Sequence, residues 1–144
     1  NLIRVGQQLS IPSRQQWVCP VTGAFFNDWG FPRGGGTRWH NGTDVFVNQG
    51  TPVYASVPGT VQQKVGSIGG NQVNLYGDDG VVYITSHLSA FGESGVVKAG
   101  EIIGYVGTSG SAKGTRPHVH LEMHVYREII VNPYPSLVEH RCKG

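Results

Sequence analysis

The sequence predicts an all-β domain, an antiparallel sandwich or barrel with long loops. Three observations carry this. Short runs rich in Val, Ile, Thr and Tyr recur between turn dipeptides at Pro58-Gly59, Asp79-Gly80 and Ala99-Gly100. No segment keeps a 3.6-residue apolar period over three turns. Glycine fills 22 of the 144 positions while charged residues make up only 14 %, a turn-rich composition.

The elements follow in order. HNGTDVFV (40–47) passes from a turn at Asn41-Gly42 into a β-branched and aromatic run. GTPVYASVPGTVQQKV (50–65) alternates apolar positions around Pro58-Gly59, the pattern of a hairpin. NQVNLYGDDGVVYITSHL (71–88) is two strand-like runs around Asp79-Gly80, with His87 at the end of the second. VVKAGEIIGYVG (96–107) is strand-like around Ala99-Gly100, and HVHLEMHVY (118–126) is a further strand. VYASVPGTV and VKAGEIIGYV look like two halves of a related sheet motif. The glycine-rich stretches at 34–36 and 107–114 are expected loops.

The chain is long enough for one domain with a sizeable core. No apolar run is long enough to span a membrane. The net charge of +2 comes from scattered Lys and Arg, which argues against a nucleic-acid partner. The chain opens on Asn1 without a signal-peptide pattern and is read as a partial or processed form. Cys19 and Cys142 lie near opposite ends, and neither sits in a C-x-x-C pair. They are expected to form a disulfide tying the ends together, which implies an oxidising compartment.

The chemistry is concentrated in KGTRPHVHLEMHV (113–125). In a strand, alternate residues share a face. His118, His120, Glu122 and His124 therefore line one side, and Val119, Leu121, Met123 and Val125 the other. His118 and His120 project roughly 7 Å apart into the same space. Alone, this H-x-H could be a polar strand face. His40 and Asp44 add an H-x-x-x-D spacing whose imidazole and carboxylate can converge, and His87 adds a third piece. Catalytic zinc takes three such protein ligands and keeps one position open.

The three motifs, in this order, make the chain from Trp17 to Val138 resemble the M23 zinc metallopeptidases of the lysostaphin and LytM-like group, which cleave peptide crosslinks of bacterial peptidoglycan. GTPVYASVPGTV, VKAGEIIGYVGTSG and VNPYPSL match the family's supporting phrases. The resemblance implies the lysostaphin-like β fold, with His40, Asp44 and His120 as Zn²⁺ ligands. It implies that His87 and His118 are the unligated catalytic pair. Glu122 stands at the family's usual position and is read as support for a ligand. It further implies a peptidoglycan peptide as substrate and a secreted, periplasmic or wall-associated setting; a monomer is the default. Thr85 replaces the family's usual Tyr, and the loop before H-x-H is slightly longer than typical. Both departures bear on the substrate groove.

Residues 1–16 differ in character, and NLIRVGQQLSIP resembles the end of a LysM module. The expected division is a LysM-like remnant or linker at 1–16 and a peptidase domain at 17–144. His124 and His140 are read as structural or solvated. The main alternative is a non-enzymatic relative that binds cell wall or activates another hydrolase, but such proteins typically lack the ligands present here. A phosphocarrier is disfavoured because Asp44 beside His40 suits a cation and opposes a phosphohistidine. A lipoyl carrier is disfavoured because no lysine sits at the Pro58-Gly59 turn.

Overall fold

The computed structural model describes residues 17–33, 36 and 38–144. Residues 1–16, where the sequence predicts a LysM-like remnant or linker, lie outside them. A two-stranded ribbon, β1 (Pro32–Arg33) and β2 (Arg38–Trp39), precedes the main sheet. The sheet contains β3 (Thr43–Phe46), β4 (Pro52–Tyr54), β5 (Gly59–Gly66), β6 (Gly70–Gly77), β7 (Val81–Phe91), β8 (Gly95–Val97), β9 (Ile102–Val106), β10 (His118–Val125) and β11 (Ile129–Val131). Its path runs β11-β10-β7-β6-β5-β8; β3 also pairs with β10, and β9 with β4 and β7. Every pairing between these strands is antiparallel.

The expected hairpin at Asp79-Gly80 forms between β6 and β7. The one at Pro58-Gly59 does not. Instead β4 pairs with β9, and β5 with β6 and β8. Local packing explains this. A Cβ on Gly59 would stand 2.3 Å from the Tyr76 carbonyl oxygen, so this glycine serves the close approach of β5 to β6 rather than a turn. The two similar phrases pair with each other. Each runs strand, bend, strand, and neither closes on itself. Ala55 N–H donates to the Glu101 carbonyl at 2.9 Å and Gly100 N–H to the Ala55 carbonyl at 2.8 Å, locking the bends together.

Alternation sorts the two faces of the sheet. Val45, Val61, Val73, Leu75, Leu88, Val119 and Leu121 are buried in one hydrophobic core. The opposite face of β10 carries His118, His120, Glu122 and His124, as expected. Register places Ser86, Ile84 and Val82 of β7 beside the last three, and Asn74 and Tyr76 of β6 beside Ile84 and Val82.

Cys19 and Cys142 are bonded across 123 residues of chain, as the sequence predicted. His140, expected in solvent, instead stacks on Trp17 with ring centroids 4.4 Å apart. Among the described residues, a helix, α1 (Tyr134–Glu139), of 6 residues escaped the periodicity test. It is too short to show a period, and buried Leu137 anchors it to the core.

Candidate metal centre

Antiparallel pairing of β3 with β10 sets Asp44 directly opposite His120 and Phe46 opposite His118. His40 enters from the segment before β3. Its Nε2 lies 3.1 Å from Asp44 Oδ1 and 2.9 Å from His120 Nδ1, and His120 Nδ1 is 3.0 Å from Asp44 Oδ1. Gly42 makes this approach possible. A Cβ there would meet the Leu121 carbonyl oxygen at 2.3 Å and His120 Cε1 at 2.9 Å.

Each imidazole is held from behind by a carboxylate. His40 Nδ1–H donates to the Asp28 carbonyl at 3.2 Å and lies 3.1 Å from Asp28 Oδ2. His120 Nε2–H donates to Glu122 Oε2 at 2.9 Å, and His124 Nε2–H to Glu122 Oε1 at 2.8 Å. Such contacts fix which nitrogen faces an ion and orient the ring. Glu122 has the supporting place expected of it. His124 holds Glu122. Asp28 was missed: it stands alone in FFNDWG, and no spacing links it to His40.

His87 reaches the site by a different device. Alternation along β7 would turn it toward the core between Ser86 and Leu88. It has φ 68° instead, and the pairing of β6 with β7 shifts register between Asn71 and Val73, which pair with Leu88 and Thr85, so that Ser86 and His87 together stand opposite one residue of β6. The bulge re-aims the ring onto the same face as Ser86. β7 then continues to Phe91, so His87 lies within the strand, not at its end. His87 Nδ1–H donates to the Ser109 carbonyl at 2.9 Å, and His118 Nδ1–H to the Arg116 carbonyl at 2.7 Å. A carbonyl only accepts, so in the neutral form of each ring Nε2 is the lone-pair acceptor. The two ring centroids are 5.3 Å apart.

All five residues line one cavity of about 560 Å³, with Trp39 on its wall and Glu122, Ser86 and Gln72 also lining it. Burial works against charge on His40, but hydrogen bonds to Asp28 and Asp44 outweigh it and raise its pKa to about 9. Burial likewise opposes charge on Asp44, and the His120 and His40 contacts hold its carboxyl far below the usual carboxylate range. His120 is raised because its bonds to Asp44 and Glu122 outweigh burial. His87 is lowered, chiefly by burial, which keeps it neutral.

The donor set fits a divalent cation. His40, Asp44 and His120 offer one ligand atom each, all within 4.8 Å of one another. Three vertices of a tetrahedron with zinc-length bonds stand about 3.3 Å apart, close to the spacing of these atoms. Two imidazoles and one carboxylate are a catalytic-type set that leaves a fourth position open.

Residues 38–133 match peptidase family M23. The DD-carboxypeptidase/endopeptidase Mpg of Neisseria meningitidis serogroup B is 42 % identical over 90 residues, covering 61 % of this chain and 20 % of its own length. The L-Ala–D-Glu endopeptidase of Bacillus subtilis is 33 % identical over 128 residues, covering 79 % of this chain and 39 % of its own. The chain thus spans only about a fifth to two fifths of the length of these curated relatives. The catalytic domain of lysostaphin from Staphylococcus simulans shares the fold with a TM-score of 0.66 and 31 % identity, over 90 % of this chain and 98 % of that one. Matched over the segment that carries both strands of its metal centre, the chain belongs to peptidase family M23.

Proposed function

We propose that the chain is a zinc-dependent endopeptidase acting on crosslink or stem peptides of bacterial peptidoglycan. The observation that carries this reading is the convergence of two groups in one cavity. Three donors are placed for a cation, and two further histidines present free Nε2 acceptors beside them. The names of the relatives, a DD-carboxypeptidase/endopeptidase and an L-Ala–D-Glu endopeptidase, support a peptide of the same class. The Cys19–Cys142 bond supports an extracytoplasmic setting.

His40 Nε2, Asp44 Oδ1 and His120 Nδ1 are assigned as ligands, oriented by Asp28 and Glu122. Zinc at this position supplies Lewis-acid polarisation of the scissile carbonyl and of the attacking water. His118 is assigned the water proton, which its Nε2 can accept. His87 presents the same atom from the neighbouring strand. Neutral through burial, it is suited to accept a hydrogen bond from the amide N–H of the leaving group, while the proton that His118 takes from water passes to the leaving nitrogen as the C–N bond breaks.

Metal analysis by mass spectrometry tests the ligands, and digestion of purified peptidoglycan tests the acid–base pair. About one zinc per chain is expected, lost in His120→Ala. His118→Ala is expected to keep zinc and release no new peptide ends. Zinc-free protein after reconstitution, or a fully active His118→Ala, refutes the assignment.

A further inference from the structure

The face that carries the metal centre continues along β10. Beyond His120 lie Glu122 and His124, flanked by Ile84 and Val82 and then by Asn74 and Tyr76. This floor ends at the turn from β10 into β11. There a second cavity of about 310 Å³ is lined by Tyr76, Gly80, Val82, Tyr126 and Arg127, among others.

The residues of that turn are unexpected. Glu128 N–H donates to the Val125 carbonyl at 3.2 Å, and both central residues have positive φ, 52° at Tyr126 and 67° at Arg127. Hairpin turns with two positive φ values favour Asn-Gly or Asp-Gly, because a side chain is strained there. Here the two positions carry large side chains. Burial does not compensate, since Tyr126 is 76 % exposed. Arg127 instead lays its guanidinium over Tyr76, with Cζ 4.8 Å from the ring centroid. A guanidinium stacked this way keeps its edge N–H groups available for a bidentate anion. Strained backbone that displays polar and aromatic groups beside a cavity is a signature of a binding position.

We infer that this turn is a distal substrate subsite, where Arg127, braced on Tyr76 and flanked by Tyr126, takes a carboxylate of an extended peptide whose scissile bond lies at the metal centre. The inference rests on the peptidase reading. From His120 to Tyr126 the strand advances roughly 20 Å. An extended substrate needs about six residues to cover that distance. The enzyme therefore selects long, acid-bearing peptides over short or amidated ones.

The test uses crosslinked stem-peptide dimers with their carboxylates either free or amidated. Wild-type protein is expected to prefer the free acids about ten-fold in kcat/KM, the scale of one exposed charge-assisted contact. In Arg127→Ala that ratio falls to near one, through KM rather than kcat. The double variant Tyr126→Asn/Arg127→Gly restores the residues the turn favours. It is expected to melt about 3–6 °C higher while losing the same preference. A structural role for the two side chains predicts the opposite change in melting. Equal cleavage of acid and amide by wild type, or an intact preference in Arg127→Ala, overturns the subsite. If wild type cleaves neither dimer, the peptidase reading has failed instead. Equilibrium binding of the free-acid dimer then decides: Arg127→Ala weakens it about ten-fold, or the subsite is refuted.

Discussion

Zinc binding to this site should expel protons, and the effect can be sized. In the metal-free protein His40 has a pKa of about 9, because Asp28 and Asp44 hold its cation against the cost of burial. A ligand nitrogen must be unprotonated. At pH 7 the His40 ring, two pH units below its pKa, is about 99 % protonated, so capture at Nε2 displaces close to one proton. His120 is also raised, so a second partial release adds to the first. Proton competition at His40 alone weakens zinc binding at pH 7 by about 100-fold, or ~2.7 kcal/mol, relative to a fully unprotonated His40. The affinity should rise about ten-fold per pH unit, or more steeply, between pH 6.5 and 8.5. Chelator competition across that range measures the slope. Calorimetry at pH 7 in two buffers of different ionisation enthalpy counts the protons. A flat affinity profile, or release of well under half a proton, refutes the claim that the two carboxylates hold His40 protonated.

Three further outcomes follow from the same geometry. Gly42→Ala drives a Cβ to 2.3 Å from the Leu121 carbonyl; it should cost about 1–3 kcal/mol in denaturant unfolding and weaken zinc binding by displacing His120. Glu122→Gln keeps the shape but removes the charge behind His120; zinc affinity should fall about 10–100-fold in a chelator titration, and an unaltered affinity means His120 needs no such partner. Replacing both cysteines by serine frees a 123-residue span; the chain-entropy model puts the loss at ~4–5 kcal/mol, read by urea unfolding. Metal-free protein adds a pH signature. His40 is raised from 6.5 to about 9, so its contribution of ~3 kcal/mol is complete below pH 6.5 and is lost as pH rises through 9.

Local regularities were legible in the sequence, and long-range ones were not. The face shared by His118, His120 and Glu122 needs only the two-residue period of a strand. His40 and Asp44 lie in one short segment, and their convergence across β3 needs only their spacing. The partners of β4 and β5 are set by pairing with β9 and β8, roughly fifty and thirty-five residues on, and no turn signal encodes such a choice. The Pro58-Gly59 dipeptide was misleading because glycine answers two needs, a turn and a close backbone approach, and here the second operates. Asp28 acts on His40 from twelve residues away through a turn. Its side chain looks like any loop aspartate until the fold closes.

His87 shows a different kind of silence, and it bears on the turn at the far end of β10. Four non-glycine residues among those described have positive φ: His87, Tyr126, Arg127 and Arg141. The chain has glycine available for such positions and uses it at Gly50, Gly80 and Gly100, where φ is also positive. A side chain in the left-handed region is strained relative to glycine, so its presence there beside a cavity points to a use for its atoms. At His87 the need is visible, because the bulge brings a fifth chemical group to the metal cavity. Tyr126 and Arg127 line the second cavity on the same face of the sheet. One physical rule thus covers both ends of the floor, and it makes the stability of the Asn-Gly variant the sharper readout. If removing both side chains destabilised the turn, the argument from strain would fail at Tyr126 and Arg127. It would then lose force at His87 as well.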